Sequence, residues 1–144
     1  MIDPATPGDA ADMAQVLGGW VRQTPWMPKL HLPVEDVWFC TSLIDTCAVR
    51  VLRLPDVAGF VAWRDQQVLA LYLAPAARGF GHGKALLDLA KSGQQHLELW
   101  TFQANTRAIA FYQREGFAEV FRTDGSGNNE KLPDLQLGWT GLIR

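Results

Sequence analysis

Apolar side chains recur at helical spacing near the start of the chain, where Met13, Val16, Leu17, Trp20 and Val21 form one stripe. Thr6, Pro7 and Asp9 stand just before it and supply a capping hydroxyl, a proline suited to the first helical position and a first-turn carboxylate, which predicts a helix starting there. Pro25, Pro28 and Pro33 then forbid one continuous helix, so the stretch carrying Trp26, Met27 and His31 reads as an ordered loop. A shorter helix is predicted over 34–45. The period changes after it: 48–54, 58–64 and 68–74 read as strands, with links short enough for an antiparallel meander.

From residue 74 the pattern becomes strand, glycine-rich turn and helix, with Ala85, Leu86, Leu89 and Ala90 on one helical face and Gly93 as the stop. The strand at 96–102 follows directly, and a right-handed crossover would set it parallel to 68–74. Asn105 is placed to cap a helix bearing Ala108, Ile109, Phe111 and Tyr112, which ends at Gly116; 117–123 and 134–140 read as strands around a polar loop. The fold class expected is mixed α/β, with a mostly antiparallel sheet, a central splayed parallel strand pair and flanking helices. The 144 residues suit one domain.

Composition narrows the function classes. Charged residues make up 19% and the net charge is −2, which argues against a nucleic-acid surface. No apolar run approaches the roughly 20 residues of a membrane span, and Asp3 and Asp9 disfavour a signal peptide, so a soluble cytoplasmic protein is expected. Cys40 and Cys47 lack zinc-site spacing and read as reduced packing residues; no metal is expected.

The chemistry concentrates in 71–84, Leu-Tyr-Leu-Ala-Pro-Ala-Ala-Arg-Gly-Phe-Gly-His-Gly-Lys. A glycine-rich turn opening a helix presents unpartnered backbone N–H groups and the positive end of the helix dipole, a seat for a diphosphate. Gly79, Gly81 and Gly83 remove the Cβ atoms that would block close approach. A P-loop is excluded because Ala85 follows Lys84, and a dinucleotide fingerprint is excluded by the spacing and the upstream meander.

Arg78, Gly81 and Gly83, followed at a set distance by Asn105, Ala108, Phe111, Tyr112, Gly116 and Phe117, resemble the paired motifs of the GCN5-related N-acetyltransferase (GNAT) family. The resemblance implies transfer of an acetyl group from acetyl-CoA to a primary amine, by direct attack. It implies a diphosphate site at Arg78, Gly79, Phe80, Gly81, His82, Gly83 and Lys84, and pantetheine pairing along Leu71, Tyr72 and Leu73, where a bulge opens the edge. It also implies an Asn105 contact to the cofactor arm and Tyr112 as proton donor to the CoA thiolate. The family's carboxylate base positions are apolar here, one of them being Trp100; Glu98, two residues earlier on the same strand face, is the substitute candidate. Trp26, Met27 and His31, with Asn128, Asn129 and Glu130 across the last hairpin, are candidates for the amine pocket. Exposed edge strands leave homodimerisation open. The competing expectation is a catalytically silent acyl-CoA-binding or sensory domain of the same fold.

Overall fold

The computed structural model describes residues 1–141, which divide into two compact units, Met1–Ala90 and the remainder from Lys91. In the first unit the elements are β1 (Ile2–Pro4), α1 (Ala10–Gln23), α2 (Pro33–Thr46), β2 (Ala48–Arg53), β3 (Val57–Arg64), β4 (Gln67–Leu73) and α3 (His82–Lys91). Strands β1 to β4 pair antiparallel in chain order, β2 to β4 as the alternating pattern and short links dictate. One face is packed by α1 and α2 through Met13, Leu17, Cys40 and Leu43 against Val49, Val51, Phe60, Ala62 and Ala70.

Three details differ from the sequence reading. Ile2–Pro4 forms a strand on β2, a pairing that three residues cannot announce by periodicity. Residues Pro7–Asp9 make a 3-10 turn and α1 begins only at Ala10. Thr6 still stands at the N-cap, Pro7 in the first turn and Asp9 as the first-turn acid, its side chain 9% exposed. The Thr6 N–H and hydroxyl donate to Asp9 Oδ2 at 2.8 and 3.2 Å, and the Arg53 guanidinium donates to both oxygens at 2.9 and 3.0 Å. The bulge in β4 lies at Leu69, between the Trp63–Val68 and Ala62–Ala70 pairs, so Leu71, Tyr72 and Leu73 run in regular register with Val61, Phe60 and Gly59. A Cβ on Gly59 would lie 2.5 Å from the Leu73 side chain, which is why glycine stands there.

The second unit holds β5 (His96–Phe102), α4 (Thr106–Arg114), β6 (Ala118–Arg122) and β7 (Asp134–Thr140). β7 pairs antiparallel with both β5 and β6. Leu97, Leu99, Leu135 and Leu137 are buried on one face. His96, Glu98 and Trp100 alternate onto the other, opposite Thr140, Gly138 and Gln136.

Candidate acyl-transfer site

β4 feeds the glycine turn through a 3-10 turn at Pro75–Ala77. The Arg78 guanidinium turns back and donates twice to the Leu73 carbonyl, at 3.2 and 3.0 Å, tying the turn to the strand end. Gly79 and Gly81 have φ of 84° and 83°, a region open to glycine and strained for other residues. A Cβ built on either meets nothing within 4 Å, so within the protein these glycines serve backbone conformation and relieve no crowding. Ala85 N–H bonds Gly81 C=O at 3.1 Å, closing the first turn of α3. The N–H groups preceding that bond have no intrahelical acceptor by helix geometry. Phe80 is 74% exposed beside His82, and Lys84 pairs with Asp88 across one exposed helical turn.

In the second unit Asn105 caps α4, its side-chain oxygen accepting from Ala108 N–H at 3.2 Å, as the sequence predicts. The cap engages the side-chain oxygen and not the amide NH2. Tyr112 is 8% exposed and packs edge-on against Phe111 and Phe117, with ring centroids 5.1 and 5.5 Å away. Phe117 leans on Trp139, and the Lys91 ammonium sits over both rings while donating to the Glu115 carbonyl at 2.6 Å.

Both oxygens of Glu98 are engaged: His96 Nε2 lies 2.9 Å from one, and the Gln136 amide donates to the other at 2.8 Å. Trp100 on the same face is exposed and meets Phe121 edge-on. Trp139, the end of the ring chain from Tyr112, pairs with Leu97 on the opposite face. The two candidate catalytic side chains therefore belong to different faces of the second unit's strands.

Of the amine-pocket candidates, Trp26 is half-buried with its ring edge-on to Trp20 at 5.9 Å, and Met27 N–H bonds the Thr24 carbonyl. His31 is exposed, 4.0 Å from Glu35. Asn128 is spent on its own loop, bonding the Leu132 backbone through both ends of its amide, while Glu130 is half-buried. Trp20 and Tyr72 stack next to Trp26, although their sequence signals, a helical stripe and a strand, pointed elsewhere. Burial beside Asp36 pushes the Cys40 thiol up to about 12, which makes it inert at neutral pH. Among the described residues no group of three or more His, Cys, Asp or Glu side chains is arranged to hold a metal ion, and no helix is long and apolar enough to cross a membrane.

Residues 45–119 match the family model described as an acetyltransferase (GNAT) domain. The chain is 30% identical over 113 residues to the Escherichia coli peptidyl-lysine N-acetyltransferase YjaB, covering 78% of this chain and 70% of that protein. It is 42% identical over 83 residues to the E. coli peptidyl-lysine N-acetyltransferase YiaC, covering 56% and 55% of the two chains, so just over half of that relative's length is spanned. In three dimensions it is similar to apo YjaB, with a TM-score of 0.79 at 21% identity over 99% of this chain and 98% of that one. It is also similar to yncA of Salmonella typhimurium, solved with its cofactor acetyl-CoA, with a TM-score of 0.73 at 19% identity over 100% and 95% of the chains. The mixed α/β fold is thus shared along the whole chain, the matched segment carries both the glycine turn and the Asn105–Tyr112 helix, and the chain belongs to the GNAT acetyltransferase family.

Proposed function

We propose that the protein is a single-domain N-acetyltransferase that moves the acetyl group of acetyl-CoA directly onto a primary amine, the ε-amine of a peptidyl lysine. The observation that carries the reading is the start of α3, where two glycines of positive φ expose first-turn N–H groups in a helix dipole suited to a diphosphate. The relatives' names point to lysine as acceptor, and the solved neighbour with acetyl-CoA points to the donor.

In this reading residues 79–84 hold the diphosphate, and the backbone at Leu71, Tyr72 and Leu73 pairs the pantetheine amides and polarises the thioester carbonyl. The neutral amine attacks that carbonyl, the C–N bond forms and the C–S bond breaks. Tyr112 gives its phenolic proton to the departing thiolate and regains one from the amine nitrogen through water. A phenol of pKa near 10 and a thiol near 8.5 make that transfer uphill by about 2 kcal/mol, which return of a proton to the phenolate from the far more acidic amine nitrogen of the adduct offsets. Tyr112→Phe keeps the packing with Phe111 and Phe117 and removes only the hydroxyl. Turnover should fall about tenfold to a thousandfold with acetyl-CoA affinity unchanged. Full turnover in that variant, with chemistry rate-limiting, would return Tyr112 to packing alone.

Glu98 is proposed as at most a weak contributor to removal of the amine proton, because solvent can take it, both carboxylate oxygens already have partners, and its strand face is opposite the one toward which Tyr112 packs. Glu98→Gln should cost less than about tenfold at neutral pH, under about 1.4 kcal/mol of barrier. A loss of several hundredfold, recovering in alkali, would make Glu98 the base. Release of CoA thiol on mixing acetyl-CoA with a lysine peptide decides between this reading and a silent acyl-CoA-binding domain, which would bind CoA and release none.

A further inference from the structure

Tyr112, the proton donor in the reading above, stands on the last turn of α4, a helix of nine residues that ends at Arg114. Helices this short are marginal on their own, and the last turn is where they fray. A donor that must meet a leaving thiolate to within about 0.5 Å needs that turn held. The residues after the helix do part of this. The Tyr112 carbonyl accepts from Glu115 N–H and Phe117 N–H at 3.1 and 2.9 Å, so the chain closes back on Tyr112 as it leaves the helix. Phe117, 3% exposed, packs its ring edge-on against that of Tyr112 at 5.5 Å.

Lys91 clasps both of those residues. Its ammonium donates to the Glu115 carbonyl at 2.6 Å, which places a cation at the negative end of the α4 dipole. The same ammonium lies 5.7 Å from the centre of the Phe117 ring and 5.1 Å from that of Trp139, within reach of both π faces. These two rings are inclined by 32° with centroids 6.5 Å apart, so one cation serves both. Gly116, between Glu115 and Phe117, makes the close turn possible: its φ is 94°, and a Cβ there would come within 3.1 Å of Trp139. A single half-buried charge therefore fixes the residue whose N–H bonds the Tyr112 carbonyl and the ring that packs on the Tyr112 ring.

We infer that Lys91 is a positioning residue for acetyl transfer: acting through Glu115 and Phe117, it sets the reach and angle of the Tyr112 hydroxyl toward the departing thiolate. This inference rests on the Tyr112 reading above and deepens it. Lys91 touches neither substrate in this role, so its contribution belongs to turnover and not to acetyl-CoA binding. A clasp that only stabilised the fold would change turnover by the same factor whether or not the phenol hydroxyl is present. A clasp that aims the hydroxyl has nothing to aim once the hydroxyl is gone.

The test is a double-mutant cycle read by CoA thiol release from acetyl-CoA and a lysine peptide, with chemistry rate-limiting. Lys91→Met keeps an apolar stem and removes the ammonium. Turnover should fall about tenfold, the scale of a small misplacement of a reacting group, with KM for acetyl-CoA unchanged. In the Tyr112→Phe protein the same substitution should change turnover by less than about twofold. Lys91→Arg, which keeps a cationic donor, should recover most of the loss. Equal losses in the two backgrounds, no loss from Lys91→Met, or a raised KM at unchanged turnover would each overturn the inference. Full turnover in Tyr112→Phe strikes the Tyr112 reading and the inference together, whereas equal losses beside an impaired Tyr112→Phe strike Lys91 alone. A second readout does not depend on turnover. With tyrosine 13C-labelled at the ζ carbon, the two tyrosines of the chain give two signals; Lys91→Met should move that of Tyr112 and leave that of Tyr72 in place, and coincident spectra would overturn the clasp. Should Lys91→Met fail to fold, Lys91→Gln, uncharged but still able to donate to the Glu115 carbonyl, takes its place in both measurements, with a loss of about threefold that again vanishes in Tyr112→Phe.

Discussion

Two helix starts in the first unit are set in opposite electrostatic surroundings. Every helix begins with N–H groups that no carbonyl within the helix can accept. Before α1, side chains crowd in: Asp9 takes donors from Thr6 and from the Arg53 guanidinium, which also reaches Asp3 at 3.0 Å. Before α3 the chain offers Gly79, Phe80 and Gly81, with no side chain there able to accept from the backbone. A start that already carries a paired carboxylate does not invite an external anion, and here that pair anchors β1 and β2 to the helix. In the proposed reading, a start built from glycine is left for a ligand to complete. The α4 start lies between these extremes, with one donor met by Asn105.

The comparison breaks first at Gly81. If φ of 83° is what the glycine supplies, Gly81→Val forces a β-branched residue into a region it avoids, and the turn must rearrange. Acetyl-CoA affinity should fall about a hundredfold, close to 2.7 kcal/mol, in a protein that remains folded by circular dichroism. Gly81→Asn sharpens the cause, since asparagine tolerates the left-handed region. An Asn variant retaining most of the affinity assigns the effect to backbone conformation. An Asn variant as impaired as Val would mean that the Cβ, which meets no protein atom, meets the ligand instead.

That distinction marks how far the sequence could be read. The helical stripe, the period-two strands and the capping Asn105 were legible because each depends on neighbours within a few positions. The paired glycine and asparagine motifs were legible for the same reason, and they located the family. The Leu69 bulge was not, because it exists only relative to the opposing strand. Nor was the Asp9–Arg53 pair, whose members are 44 positions apart and whose burial no local pattern announces. Trp20, Trp26 and Tyr72 illustrate the limit most clearly: one read as a core stripe, one as loop and one as strand, and only the fold puts the three rings together.

A smaller effect tests the closed start. The Arg53 guanidinium, reinforced by the Thr6 donors, holds the Asp9 carboxyl below its usual range against the opposing influence of burial. A carboxylate whose folded pKa is depressed contributes stability that is fully present above the unfolded value near 3.9 and is lost as pH falls through the lower folded value. Asp9→Asn should therefore destabilise the protein by about 2 kcal/mol at neutral pH, the scale of hydrogen bonds to charged groups. The gap to wild type, measured by urea unfolding, should close below about pH 4. Acetyl-CoA affinity should not change, because this start holds no ligand. A variant that loses CoA affinity while remaining folded would erase the contrast between the two starts.

The smallest effect falls on Asn105, which serves both as a cap and, in the proposed reading, as a ligand contact. Loss of a capping side chain costs about 1 kcal/mol when alanine replaces it but only a few tenths when glycine does, because glycine leaves the helix end open to water. The two substitutions remove the same carboxamide, so they should differ in stability and agree in ligand binding. Asn105→Gly should leave the melting temperature nearly unchanged and weaken acetyl-CoA binding several-fold if the amide NH2 reaches the cofactor arm. If both variants bind acetyl-CoA as wild type does, and only Asn105→Ala melts earlier, the side chain is a cap and nothing more. The α4 start would then stand with that of α1 as one closed by the protein for its own stability.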